Sequence, residues 1–145
     1  MAEKMNLAGK TVLFVDDRPM TIKNFIEKVR EHGAAVHIRR TIDGAGEIIR
    51  EQKVDFVVID LFLDEPGGLF EQYKEHVEQT GTNLGQLLGL YLQEQEIPYL
   101  YLSANPSWFV ENKQEKEVTV LSKSVRSWAE FQKCLIDHLH HKNEE

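Results

Sequence analysis

The chain alternates short apolar runs with stretches in which apolar residues recur every three or four positions. Residues 11–16 form one such run and read as a buried strand. Ile22, Phe25, Ile26 and Val29 follow with the one-face spacing of an amphipathic helix. Pro19 suits the first turn of that helix and Gly33 its end. Residues 35–38 give a weaker strand, and Ala45, Ile48 and Ile49 mark a short second helix. Residues 54–59 carry the strongest strand signal, and Leu84, Leu87, Leu88, Tyr91 and Leu92 another helical stripe. A fourth strand is predicted at 98–102 and a fifth at 118–121. Between them, Asn105 and Pro106 read as the cap and first position of a short helix through about Lys113. Ser127 and Glu130 have capping-box spacing, opening a last helix with Val125, Trp128, Phe131 or Gln132, Leu135 and Leu139 along one face.

This order, βαβαβαβαβα, calls for right-handed crossovers and an α/β fold with a parallel sheet and helices on both faces. One segment breaks the rhythm. Residues 61–83 separate a strand from the next strong helix, where such connections usually take about 2–6 residues. The segment holds Pro66-Gly67-Gly68, then Leu69, Phe70, Tyr73 and Val77, then Thr80-Gly81. Its spacing predicts an extra short helix with an acidic face from Glu71, Glu75 and Glu78. Two readings stay open: a lid packed on its own domain, or an element that binds a partner.

The length of 145 residues fits one domain with a sizeable core, and 41% hydrophobic with 28% charged residues is ordinary for a globular protein. A net charge of −7, with no Lys/Arg stripe to offset it, excludes nucleic-acid binding as the main business. The single Cys134 has no intrachain partner and fits a reducing compartment. The start lacks an apolar core of signal-peptide length, and no stretch approaches the roughly 18 apolar residues of a membrane span. No membrane association is expected, and the cytoplasm is the expected location.

Chemistry enters at the ends of the apolar runs. Asp16 and Asp17 close the first, Asp60 the third, Ser103 the fourth and Lys123 the fifth. Buried parallel strands tolerate charge poorly, but the carboxyl ends of neighbouring strands are where open α/β sheets put their sites. Taken singly, each of these residues is an ordinary cap, turn or surface group. Together, three carboxylates repel one another unless a hard divalent cation joins them, and the count suits Mg²⁺ with waters and a phosphoryl oxygen. A carboxylate is also a competent nucleophile toward phosphorus. The Lys123 ammonium and the Ser103 hydroxyl supply charge and a donor for phosphoryl oxygens. Other groups read as structural. His138, His140 and His141 fit a solvated helix end, and Trp108, Phe109 and Val110 fit packing. Arg18 either screens the acidic pair or points to solvent.

The stretches VLFVDDRP, DFVVIDLFL, YLSAN and TVLSKS, in that order, resemble the receiver domain of two-component response regulators, the CheY-like fold. The resemblance runs from about Lys10 to His140. It implies a doubly wound, flavodoxin/CheY-like five-stranded sheet in the order 2-1-3-4-5. The implied domain covers 10–141 with an insertion at about 64–82, after an N-terminal extension at 1–9 and before a tail at 142–145. By resemblance, Asp60 is the phospho-acceptor. Asp16, Asp17, Asp60 and the backbone carbonyl of Phe62 are the Mg²⁺ ligands, Lys123 pairs with the phosphoryl group, and Ser103 swings in to bond it.

Three departures stand out. The family's aromatic switch position, three residues before Lys123, is Val120. Lys123 is followed by Ser124 instead of Pro, which lowers the expectation of a cis bond there. The insertion replaces the short turn after the acceptor. The expected function is a stand-alone receiver that takes a phosphoryl group on Asp60 from a sensor histidine kinase or histidine phosphotransfer protein. It would switch an unknown downstream protein and would not be a turnover enzyme. The alternatives are a phosphorylation-independent interaction module and, less favoured, a Mg²⁺-dependent aspartyl phosphohydrolase. No candidate nucleophile has a second Asp two residues on.

Overall fold

In the computed structural model, residues 5–115 and 117–140 are described, without the side chains of Leu69 and His140. Five strands, β1 (Thr11–Val15), β2 (Ala35–Arg39), β3 (Phe56–Ile59), β4 (Tyr99–Ser103) and β5 (Val120–Ser122), form one sheet in the order β2-β1-β3-β4-β5. Every pairing is parallel, with Val12 beside Val36 and Phe56, Val57 beside Tyr99, and Tyr101 beside Val120. The helices are α1 (Lys23–Glu31), α2 (Ile42–Glu51), α3 (Lys74–Thr80), α4 (Leu84–Glu94) and α5 (Trp128–Leu135), the last continuing as a π turn over Ile136–His140.

The strands alternate between two cores, because successive side chains leave opposite faces of a strand. Val12, Phe14, Phe56, Val58, Leu100, Leu102 and Leu121 meet α1 and α5 through Phe25, Ile26, Val29, Phe131 and Leu135. Leu13, Val15, Val57, Ile59, Tyr99 and Tyr101 meet α2 and α4 through Ile48, Leu88 and Leu92. The expected doubly wound sheet, order 2-1-3-4-5 with helices on both faces, is the one observed. The N-terminal residues Met5 and Leu7 are also buried in the first core. They are tied to the end of α1 by Leu7 N–H to His32 O at 2.8 Å and His32 Nδ1 to Met5 O at 2.9 Å.

The insertion folds onto its own domain. After buried Pro66, a 3-10 turn at Gly68–Tyr73 sets the rings of Phe70 and Tyr73 into the second core. Phe70 meets Tyr91 of α4 edge-on with centroids 5.3 Å apart, and the Gly67 N–H donates to the Asp43 carboxylate of α2 at 3.1 Å. The predicted extra helix is the 3-10 turn running into α3, with Glu71 of the turn and Glu75 and Glu78 of α3 exposed and Gly81 closing it at φ 71°. Only glycine takes that conformation without steric cost.

Two local expectations fail. The helix predicted from Pro106 to about Lys113 is only a 3-10 turn, Pro106–Trp108, after which the chain runs irregularly to β5. Its continuation loses to side-chain partners for the backbone, described below. At the last helix, the Ser127 hydroxyl makes no cap; instead Ser124 caps a preceding 3-10 turn by accepting from Arg126 N–H. The Lys123–Ser124 peptide is trans, as are the others among the described residues.

Candidate functional site

β1 and β3 lie side by side at the centre of the sheet, so their carboxyl ends bring Asp16, Asp17 and Asp60 together. One oxygen from each lies within 4.8 Å of the others. Backbone bonds fix this meeting: Asp16 N–H reaches Arg39 O at 3.0 Å, and Asp60 N–H reaches Val15 O at 2.9 Å. Asp16 and Asp60 are only 1% and 6% exposed, and Asp17 is half-buried. The Arg18 N–H donates to Asp16 Oδ1 at 2.8 Å, while the Arg18 side chain is exposed.

Lys123 crosses from the end of β5 into this cluster. Its ammonium lies 2.9 Å from Asp16 Oδ2 and 3.6 Å from Asp60 Oδ2, and it donates to Thr21 Oγ1 at 2.9 Å. The contact with Asp16 Oδ2 is an ion contact without hydrogen-bond alignment. One ammonium thus pairs with two of the three carboxylates.

Asp60 bears the consequence. Burial, with the negative charge of Asp16 second, raises its pKa from the ordinary 3.8 to about 6. Lys123 and the Phe62 N–H, which bonds the carboxylate, pull it back, and Asp17 pushes it up further. In the metal-free protein Lys123→Ala should therefore move this value higher and Asp16→Asn lower. Carboxyl-carbon NMR titration of Asp60 reads both, and an unmoved midpoint in either variant would contradict the electrostatics described.

Ser103, fully buried at the end of β4, holds Lys123 through its backbone: its carbonyl accepts the Lys123 N–H at 3.0 Å. Its hydroxyl is occupied locally, accepting from the Asn105 N–H at 3.0 Å. Phe62 projects from the end of β3 as an exposed ring set edge-on to exposed Trp108, 5.1 Å between centroids. Val120 is half-buried and packs against the second core. The aromatic ring on that side of the sheet comes from its register partner on β4, Tyr101.

Tyr101 leads to a group that the sequence did not reveal. Glu115 is 5% exposed and accepts from the Tyr99 hydroxyl at 2.7 Å and from the Tyr101 hydroxyl. It also accepts from Gln86 Nε2 and Asn112 Nδ2, each at 3.1 Å. Four neutral donors fill the carboxylate's acceptor sites. Burial followed by this negative charge pushes both tyrosine hydroxyls well up in pKa. The one sequence signal was two tyrosines at alternating positions in an apolar strand; Glu115 itself is hidden in the polar run KQEKE. Elsewhere, His138 Nδ1 sits 2.9 Å from the Cys134 carbonyl at a helix end, and burial raises the Cys134 thiol pKa. The His140 side chain and His141 lie outside the described residues.

By sequence, no family model and no curated protein matches the chain. By structure, it is similar to the receiver domain of the PhyR response regulator of Erythrobacter litoralis, with a TM-score of 0.66 and 18% identity over 95% of each chain. A second similar structure is the N-terminal domain of a response regulator/sensory box/GGDEF protein from Carboxydothermus hydrogenoformans. There the TM-score is 0.65 and the identity 20%, over 92% of this chain and 96% of that one. A double mutant of the anti-anti-sigma factor PhyR of Bartonella quintana matches with a TM-score of 0.66 and 17% identity, over 98% of this chain and 52% of the other. The chain therefore has the CheY-like receiver fold. Among the described residues, no helix is long and apolar enough to cross a membrane.

Proposed function

We propose that this chain is a phosphoryl-accepting receiver whose acceptor is Asp60. One observation carries the reading: a nearly buried carboxylate with its pKa raised to about 6 sits beside two further carboxylates and one lysine ammonium, at the centre of a receiver fold. At neutral pH Asp60 is mostly ionised, and so nucleophilic. One of its oxygens attacks the phosphorus of a phosphohistidine, the P–N bond breaks, and the electron pair leaves with the imidazole nitrogen, which is then protonated. Lys123 lies within reach of Asp60 and balances charge that gathers on the phosphoryl oxygens. Hydrolysis returns the Asp60 carboxylate and inorganic phosphate, so the chain modifies itself and turns over no metabolite.

Asp16, Asp17 and Asp60 fit a Mg²⁺ ion, because an oxygen from each converges within 4.8 Å and three carboxylates there have one ammonium to balance them. The Phe62 carbonyl is the further ligand implied by the resemblance. When bound, Mg²⁺ supplies positive charge that relieves the carboxylate repulsion and polarises the phosphoryl group. The phosphodonor in this reading is a sensor histidine kinase or a histidine phosphotransfer protein. The output is a protein contact, in keeping with PhyR, one of whose solved forms is described as an anti-anti-sigma factor. Beryllofluoride with Mg²⁺ should shift the amide signals around Asp60 in the wild type and leave Asp60→Asn unchanged. Equal responses from the two proteins would sink the assignment.

A phosphorylation-independent interaction module on the same fold is the second reading. Val120 in place of an aromatic ring, Ser124 after Lys123 and the acidic insertion favour it. Unaltered partner binding by Asp60→Asn would support that alternative.

A further inference from the structure

Glu115, Gln86 and the first turn of α4 form a continuous connection between the acceptor strand and residues 108–115. It begins at Asp60 itself. The Gly85 N–H donates to Leu61 O at 2.9 Å, and the helix lies so close that a Cβ on Gly85 would clash with the Asp60 carbonyl oxygen. The start of α4 therefore rests on the backbone of the acceptor loop. It has no room to stay in place if that loop moves toward it.

The next residue, Gln86, is 2% exposed, and its amide joins the cap of α4 to the far side: its Oε1 accepts from Asn83 N–H at 3.2 Å and Asn83 Nδ2 at 3.1 Å. Its Nε2 donates to Val110 O at 2.8 Å and to Glu115 Oε1 at 3.1 Å, while its Oε1 accepts from Val110 N–H at 3.1 Å. Asn83, the cap of α4, donates to Trp108 O at 2.8 Å. Both backbone groups of Val110 are thus bonded by one side chain, although Asn105-Pro106 is a helix-opening sequence. These bonds, with Glu115 bound to Asn112 and to two tyrosines of β4, hold the segment out of the helix that its sequence favours. Tyr101, which donates to Glu115, stands two residues before Ser103 on the same strand face, so the connection reaches the site from β4 as well.

We propose that Gln86 and Glu115 clamp residues 108–115 in the unwound form, and that modification of Asp60 releases the clamp through the first turn of α4. The output of the site is then the state of this segment, in place of an aromatic switch at Val120. The proposal rests on the receiver reading, and it adds the regulated element. It gives Gln86 and Glu115 a positioning role, remote from the reacting atoms.

Hydrogen exchange of the full chain, with and without beryllofluoride and Mg²⁺, tests it. In the wild type, beryllofluoride should speed exchange within 108–115 by about tenfold, the effect of losing one to two net hydrogen bonds. In Gln86→Ala that segment should already exchange fast, and beryllofluoride should add little while still shifting the amides beside Asp60. Glu115→Gln, which keeps the side-chain shape, serves where Gln86→Ala fails to fold; it should show the same early release. Binding beside Asp60 with no change at 108–115, or a full response in both variants, overturns the clamp and leaves the receiver reading standing. Failure of beryllofluoride to bind the wild type overturns both.

Discussion

Gly85→Ala is expected to destabilise the protein by about 3 kcal/mol or more, the upper range for forcing an atom into packed space. In an exposed helix interior the same change would stabilise by about 1 kcal/mol, so the sign alone is informative. The physical reason is the seating of α4. A methyl group on Gly85 would meet the carbonyl oxygens of Asp60 and Leu61 and the Leu61 Cα, at 2.8 Å for each Leu61 atom. These are backbone atoms at the end of a central strand, and they have no rotamer to change. Relief would need α4 to lift away, which breaks the Gly85–Leu61 hydrogen bond and strips Leu87 and Leu88 from the core. Gly89→Ala, one turn on, should cost less, since its methyl would intrude on the Tyr101 hydroxyl and lie 2.8 Å from Glu115 Oε2, side-chain atoms that can shift where backbone atoms cannot. Urea unfolding measures both. A Gly85→Ala protein as stable as the wild type would mean that α4 does not rest on the acceptor loop.

Asp60→Asn should stabilise the metal-free protein at neutral pH. The carboxyl titrates at about 6 when folded and near its ordinary 3.8 when unfolded, so the native state holds the proton more tightly. Between those values native stability falls as pH rises, and above about pH 6 the full penalty applies, about 3 kcal/mol for a shift of about two units. Asparagine carries no such penalty. The gain should be near zero below pH 4, grow through pH 4–6 and level off above. Some of it is offset because Lys123 loses a partner, although Asp16 still holds the ammonium at 2.9 Å. Denaturation midpoints at pH 4 and pH 8 in the presence of a chelator check the trend. Added Mg²⁺ should narrow the gap at pH 8, since it stabilises the wild-type carboxylates and finds one ligand fewer in the variant. A variant less stable than the wild type at pH 8 would contradict the raised acceptor.

Four strands were legible as short apolar runs closed by a polar residue and β2 as a weaker run between two helices, while the strand order was what the resemblance to receiver domains implied. Asp16, Asp17, Asp60 and Lys123 meet at the carboxyl ends of the strands because β1 and β3 are neighbours and Lys123 is long enough to cross from β5. Phe70 and Tyr73 were legible as an apolar face, but nothing in their spacing told whether that face meets α4 or a partner. The segment after Trp108 was misread for a clear reason. Local cap signals favour a helix there, and a buried amide 24 residues earlier, Gln86, takes the Val110 backbone instead. Glu115 was invisible because a buried glutamate and a solvated one look alike in a run of charges. Its four donors come from three separate parts of the chain, and only the fold assembles them.

These features define a receiver fold with an acidic cluster at its strand ends and a side-chain-bonded segment between β4 and β5. In the proposed function the cluster takes up a cation and a phosphoryl group, whereas the Gln86–Glu115 connection is formed without either. The most direct test of the central claim is chemical. The protein is incubated with acetyl phosphate and Mg²⁺, and the intact mass and the peptide carrying the modification are determined. The account predicts one added phosphoryl group, mapped to Asp60, absent from Asp60→Asn and absent when Mg²⁺ is chelated. An unmodified wild-type protein, or a phosphoryl group mapped to any other residue, would contradict it.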